Sequence, residues 1–242
     1  MQQENRTGFI NSFRKGISDG IPIALGYLSV AFTFGMMATE GGLSAAEALL
    51  ISMTNLTSAG QIAGLDVMLA GGTLLEMALT QLVINMRYAL MSISLSQKMH
   101  KSVRLRDRFL IAFGNTDEIF AVASAKPAEL GKKYMFGLIL APFLGWSSGT
   151  LIGAAAGALL PDAVRSAFGI AIYGMFLAVF IPPMKKSSAV RVVVIAAAVC
   201  SCVFSLVPVL QNISSGFVII ICSVFAATIG ALIKPVETDE NE

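Results

Sequence analysis

The chain has 242 residues, of which 55% are hydrophobic and 13% are charged, whereas a soluble globular domain carries about 25% charged residues. This composition excludes an ordinary soluble fold. The formal net charge is only +2, and the basic residues stand between apolar segments, which excludes a nucleic-acid-binding protein. Composition therefore predicts an all-α membrane protein that lies in the lipid bilayer along most of its length.

In chain order, the hydrophobicity pattern divides the sequence into five parts. A polar N-terminal segment (1–16) precedes a first transmembrane repeat (17–95), a basic loop (96–133), a second transmembrane repeat (134–233) and an acidic tail (234–242). We expect the tail to be disordered. Apolar runs long enough to cross a bilayer predict seven transmembrane helices, at residues 17–39, 46–64, 68–95, 134–160, 163–182, 188–207 and 211–233.

One further segment, residues 109–125, is mostly apolar but carries Asp117 and Glu118 in its middle. We interpret it as a re-entrant segment or a loop helix, and an eighth crossing stays open. With seven crossings, the positive-inside rule puts the basic loop in the cytoplasm and the N-terminus outside; with eight, the N-terminus faces the cytoplasm. The run from Lys98 to Arg108 is expected to contact anionic lipid headgroups.

Two similar segments, Pro22–Tyr27 and Pro142–Trp146, each lead into an apolar run that contains glycine. If the first repeat crosses three times, the second begins on the opposite side, which predicts an inverted repeat, a recurring plan of secondary transporters. The alternative is that proline and glycine recur because they are frequent in membrane helices. The pattern also predicts helix breaks, at Pro22, Gly26, Pro142 and Gly145.

Arg87 is the clearest polar candidate, because it lies inside an apolar run, two residues after Asn85 and directly before Tyr88. A charge at bilayer depth is costly and usually has a function. A guanidinium can bind a carboxylate through two hydrogen bonds, and an amino-acid substrate supplies a carboxylate. We therefore expect Asn85 and Arg87 to bind substrate. The alternative is that Arg87 snorkels to the interface or pairs with a fixed acid.

A second candidate segment runs from Asn55 to Gly64 and is rich in small and hydroxylated residues. Such a sequence permits a broken helix, whose free backbone N–H and C=O groups can bind the two ends of a zwitterion. This interpretation makes Ser58, Gly60 and Gln61 substrate-binding residues. The alternative is close packing of helices through small residues.

Asp117 and Glu118 form the third candidate. Paired acids beside apolar sequence can bind an ammonium group or carry a proton for coupled transport. The alternative is that they occupy the first turn of a helix that begins after Thr116. The sequence contains no nucleophile-and-base motif and no nucleotide-binding glycine loop, so we expect neither an enzyme nor an ATP-driven pump, and neither a cofactor nor a metal site.

The order of these segments resembles the AzlC family, the large subunits of branched-chain amino-acid exporters. The resemblance covers most of residues 8–125. It rests on Gly16–Gly35, Gly60-Gln61, Asn85–Tyr88 with Ser94-Leu95, and Thr116–Ala121.

The sequence differs from the family pattern in two places within the candidate site. In Leu56–Ile62 only the glutamine of the usual family element is kept, and Tyr88 stands where histidine often follows the arginine. Because Tyr88 neighbours Arg87, we include it among the substrate-binding candidates.

The resemblance implies a multi-pass protein of the bacterial inner (cell) membrane that works with a small AzlD-like membrane subunit of about four spans. It implies a secondary transporter subunit that exports branched-chain or other hydrophobic amino acids. Two other functions stay open from the residues alone: a passive channel for a small neutral solute, and a non-transporting membrane scaffold subunit.

Overall fold

The computed structural model describes residues 9–161, 163, 167, 170, 174, 177 and 181–233, and it is predominantly helical. The predicted all-α membrane fold is confirmed. Three predicted parts lie wholly or partly outside the described residues: the first half of the polar N-terminal segment, most of the predicted span at 163–182, and the acidic tail.

The longer helices follow one another along the chain as α1 (Phe13–Glu40), α2 (Ala45–Thr54), α3 (Ser58–Leu69), α4 (Leu74–Gln97), α5 (Leu105–Phe113), α6 (Asp117–Ser124), α7 (Lys132–Ala156), α8 (Ser188–Leu206) and α9 (Ser215–Ile233). Residues 181–186 are also helical, and short 3-10 turns lie at Gly157–Leu159 and Leu210–Asn212. Two short strands, β1 (Phe9–Ile10) and β2 (Glu129–Leu130), pair in parallel.

Among the described residues, four helices are both long and apolar enough to cross a bilayer: α1, α7, α8 and α9. The 24-residue α4 is about 36 Å long at 1.5 Å per residue, which also matches the bilayer. It carries more polar residues than the other four helices. Its length therefore fits the predicted span at 68–95.

The chain forms two compact units. The first contains α1, α2, the start of α3, the second half of α4, and α5 to α7, within residues 1–62 and 84–165. The second contains residues 63–83 and 166–242, and includes α8 and α9. In the second unit the backbone N–H of Gly216 donates to Glu76 Oε1 at 3.1 Å, so a carboxylate caps the positive end of α9.

The first unit is built around α1 and α7, which pack closely and run in the same direction. Gly137 lies against Phe13, Gly145 against Ala24, and Gly153 against Phe32, so contacts advance together along both helices. Small residues permit this approach because a side chain at these positions would meet the backbone of the facing helix.

The predicted helix breaks at Pro22, Gly26, Pro142 and Gly145 are wrong. Helices α1 and α7 each continue through their proline, and Pro142 packs beside Gly20 of α1. The two proline segments therefore lie side by side on parallel helices, so they do not begin two halves that are inverted relative to one another.

The actual breaks lie elsewhere, at residues 55–57 and 114–116. The first divides α2 from α3, and the second divides α5 from α6. Each break contains an asparagine, Asn55 or Asn115, and ends at a threonine that caps the next helix. Thr57 Oγ1 accepts from the N–H of Gly60 at 3.2 Å, and Thr116 Oγ1 accepts from the N–H of Ile119 at 3.4 Å.

The helices α5 and α6 form a hairpin whose two ends lie close together. Near the start of α5, the Arg108 side chain donates to the backbone carbonyl of Ser96. At the end of α6, Lys98 Nζ donates to the carbonyl of Ser124. Both legs therefore return to the end of α4. This is the geometry that a re-entrant segment at 109–125 would have, and its place relative to the bilayer stays a prediction.

The N-terminus and the basic loop lie at the same end of the first unit. Besides the β1–β2 pair, Met99 forms a β-bridge with Leu130, and Lys126 Nζ lies 2.7 Å from Asp19 Oδ2. We call this end, with β1, residues 98–104 and β2, the basic end. The positive-inside rule assigns it to the cytoplasm.

Of the two arrangements that the sequence left open, the structure contradicts the one with seven crossings, in which the N-terminus and the basic loop lie on opposite sides. That arrangement counted residues 46–64 as one crossing, whereas that run is divided at 55–57. The order long helix, short helix, break, short helix occurs twice, in α1–α3 and in α4–α6. In the first unit α1 runs away from the basic end, and residues 84–97 of α4 run towards it. An inverted arrangement therefore exists between these two helical segments, and not between the two proline segments.

Candidate functional site

The two breaks meet in a cavity of about 150 Å³ in the first unit. Helix α2 enters from the end opposite the basic end, since it follows α1 after a turn at Gly42 (φ +96°). Helix α5 enters from the basic end. The cavity is lined by Thr54, Asn55, Leu56 and Thr57 from the first break, Asn85 and Tyr88 from α4, and Ala112, Phe113 and Asn115 from the second.

The second break lies half-way along α1. Tyr27 O–H lies 2.7 Å from Thr116 Oγ1 and also donates to the carboxylate of Glu118. Tyr27 is about 21 Å from the start of a helix about 42 Å long, and its ring packs edge-on against Trp146 at 5.0 Å. The polar residues at this break are therefore at mid-bilayer depth.

An ion pair stands beside the cavity. Arg87 Nη2 lies 2.8 Å from Asp117 Oδ2, and Tyr88 O–H accepts from Arg87 at 2.9 Å and donates to Asp117 at 3.3 Å. The two charged side chains are 48% and 41% exposed. Charged groups at this depth need water or protein around them rather than acyl chains, so this surface faces a hydrated space or another protein.

A buried hydrogen-bonded chain supports the first break. Ser52 Oγ of α2 lies 2.6 Å from Thr150 Oγ1 of α7 and accepts from Gln61 Nε2 of α3 at 2.7 Å. All three side chains are almost completely buried. Gln61 follows the break and returns to Ser52, which precedes it, so the chain folds back sharply between these two residues.

The structure brings together some of the candidate residues and separates others. Asn85 and Tyr88 line the cavity, and Arg87 pairs with Asp117 at its margin. Glu118 binds Tyr27. Gln61 is engaged in the buried chain, and it does not line the cavity; neither do Ser58 and Gly60, which lie in the first turn of α3.

Four polar residues of this region were not predicted as site residues: Asn55, Thr57, Asn115 and Tyr27. The signal that could have identified Asn55 and Asn115 is their polar character within mostly apolar runs. Asparagine competes for backbone hydrogen bonds and favours helix ends, as at Asn55 and Asn115, whereas Asn85 lies inside the continuous α4.

The chain matches the AzlC protein family over residues 22–160. It is 36% identical over 175 residues to an uncharacterized membrane protein of Archaeoglobus fulgidus, covering 72% of this chain and 76% of that protein. It is 30% identical over 188 residues to the inner membrane protein YgaZ of Escherichia coli, covering 75% of this chain and 77% of YgaZ.

A membrane protein of Helicobacter pylori is 28% identical over 152 residues. No solved structure matches the chain. The membrane localisation is confirmed by the apolar helices and by these relatives, and together they support a role related to membrane transport. The family match covers more than half of the chain, which therefore belongs to the AzlC family.

Proposed function

We propose that this chain is the large subunit of a secondary transporter that exports branched-chain or other hydrophobic amino acids. The observation that carries the proposal is the Arg87–Asp117 ion pair beside a mid-depth cavity. A free amino acid carries a carboxylate next to an ammonium group, so it can replace each partner: its carboxylate binds Arg87 and its ammonium group binds Asp117.

The neutral lining of the cavity supports a small zwitterion with an apolar side chain. Asn115 donates through Nδ2 to Ser92 Oγ at 3.0 Å, while its buried Oδ1 has no hydrogen-bond partner in the described part of the chain. This oxygen can accept from an ammonium group. Leu56 and Phe113 supply apolar surface, and the volume of about 150 Å³ limits the size of the substrate side chain.

The two hairpin tips give a route for alternating access. The first tip, residues 55–57, is reached through α2 from the end opposite the basic end. The second tip, residues 114–116, is reached through α5 from the basic end. Each tip is a short non-helical segment between two helices. Movement of one tip can therefore open the cavity to one side while the other tip stays closed. A small AzlD-like subunit is the proposed partner, and the exposed polar surface at Arg87 and Asp117 is suited to a protein neighbour or a hydrated path.

The test is efflux from cells. Cells that express the chain with its small partner are loaded with an isoleucine-containing dipeptide, and release of isoleucine is compared for wild type and Arg87→Gln at equal membrane abundance. We expect faster efflux than in cells without the protein, and its loss in Arg87→Gln. The matched control is Lys15→Gln, which removes a cation from an exposed pair with Asp19 (3.1 Å) and should leave efflux unchanged.

A double variant separates binding from a structural role. If the ion pair only stabilises the fold, the double variant Arg87→Gln with Asp117→Asn should restore the membrane abundance and the efflux that each single change loses, because no charge is left unpaired. If both groups bind substrate, the double variant stays inactive although it is abundant. No efflux by abundant wild-type protein refutes the branched-chain assignment, and efflux that shows neither saturation nor counterflow indicates a channel.

A further inference from the structure

A second cavity, of about 330 Å³, lies between the last two turns of α4 and helix α5. Its walls differ from those of the first cavity, because they are mainly aliphatic and aromatic, with the side chains of Ile93, Leu95, Leu105, Phe109 and Ile111. Leu105 and Phe109 are each 69% exposed, so the cavity is an open groove on the surface of the first unit. We call it the α4–α5 groove.

The turn at the mouth of the α4–α5 groove is strongly basic. Residues 98–108 contain five basic side chains and one acid, Asp107, which faces Lys132 at 3.7 Å. Arg108 lines the groove and donates to neutral acceptors, including the carbonyl of Val103 at 3.2 Å. Lys101, Arg104 and Arg106 are exposed, and none of the three forms an ion pair with any part of the chain that the structure describes.

The apolar α4–α5 groove and its basic mouth meet at the basic end of the first unit. A ligand that fits both must carry a flexible apolar chain and an anionic head at the level of the membrane surface. Basic side chains between membrane helices at the cytoplasmic side bind anionic headgroups, and a guanidinium binds a phosphate through two hydrogen bonds. A membrane helix of a protein partner would fill the apolar groove but would not neutralise its mouth.

We propose that the α4–α5 groove is a binding site for an anionic phospholipid. One acyl chain lies in the groove against Phe109, and the phosphate is bound by Lys101 and Arg104. Because α5 is the entry leg of the second hairpin, the bound lipid stabilises the leg that carries Asn115 to the substrate cavity. The proposal is independent of which solute the cavity transports.

The test uses a fluorescent reporter in the groove. Phe109→Trp is reconstituted in vesicles that contain brominated dioleoyl phosphatidylglycerol or brominated dioleoyl phosphatidylcholine, and bromine quenching gives the relative association constant of each lipid. The natural Trp146 is 3% exposed, so its signal is measured in the unsubstituted protein and subtracted. We expect phosphatidylglycerol to be strongly preferred.

Removing the two head-binding cations should remove that preference. In the reporter background, Lys101→Gln with Arg104→Gln should weaken phosphatidylglycerol association about 25-fold, from the usual attraction of two basic side chains to an anionic membrane surface. The matched control is Arg14→Gln with Lys133→Gln, two exposed basic residues near the starts of α1 and α7. This control should keep the preference.

Two further results would overturn the proposal. Equal quenching by the two lipids means that the groove contacts bulk lipid only. An equal loss in the test and control variants means that the preference comes from net charge rather than from this site. A groove-filling change, Ile93→Trp measured by native mass spectrometry of the otherwise natural protein, should reduce retained phosphatidylglycerol; unchanged retention also contradicts the site.

Discussion

Gly145→Ala should destabilise the protein, whereas Gly26→Ala should not. A Cβ atom on Gly145 would lie 2.5 Å from the carbonyl oxygen of Ala24, against 3.4 Å for the closest ordinary contacts. The two helices must separate by about 0.9 Å, and overpacking of this kind costs about 1–3 kcal/mol. A Cβ on Gly26 meets nothing within 4 Å.

The comparison isolates the steric cost, because both changes replace a helical glycine by alanine. Each gains up to about 1 kcal/mol of helix propensity, so the difference between the variants is the cost of separating α1 from α7. By the scaling of soluble domains of this size, about 2 kcal/mol lowers Tm by about 4–8 °C. Tm in detergent is measured by size-exclusion fluorescence after heating. Equal Tm values for Gly145→Ala and Gly26→Ala would refute the close parallel packing.

Two other changes test the contacts that support the two breaks. Ser52→Ala leaves the Gln61 amide buried without its acceptor, which costs about 1–3 kcal/mol and should lower Tm in the same assay. The control is Ser29→Ala, which removes an exposed hydroxyl bonded to its own helix; equal Tm values for the two variants contradict the buried chain. Tyr27→Phe removes the donor to Glu118, so hydrogen exchange at residues 114–118 should become faster while exchange in the rest of the protein stays the same; unchanged exchange at the break contradicts a bracing role for this contact.

The sequence predicted polar positions better than it predicted the backbone around them. Arg87 was found because a charge in an apolar run is costly wherever it lies. Its partner Asp117 lies 30 residues away in the sequence. Among the alternatives for Arg87, pairing with a fixed acid describes the contact that the structure has. Whether Arg87 contacts a substrate or an acidic side chain depends on its neighbours in the folded protein, and the local sequence does not specify them.

The helix breaks were assigned to the wrong residues for a physical reason. A proline inside a helix removes one hydrogen bond, and the helix continues when packing compensates, as Pro142 does against Gly20. Asparagine and threonine compete for several backbone groups at once, and they divide the helices at Asn55 and Asn115. Hydropathy is averaged over a window longer than such a polar interruption, so residues 46–64 were predicted to be one span.

The β1–β2 pair bears on how the protein is made. Phe9 pairs with Glu129, 120 residues later in the chain, and the α1–α7 interface joins segments equally far apart. A ribosome synthesising this chain therefore delivers α1 to the membrane long before its packing partner exists. Until α7 arrives, the glycine-lined face of α1 has only lipid or insertion machinery beside it, so the first unit assembles late, and chains that stop before residue 132 lack its central contact.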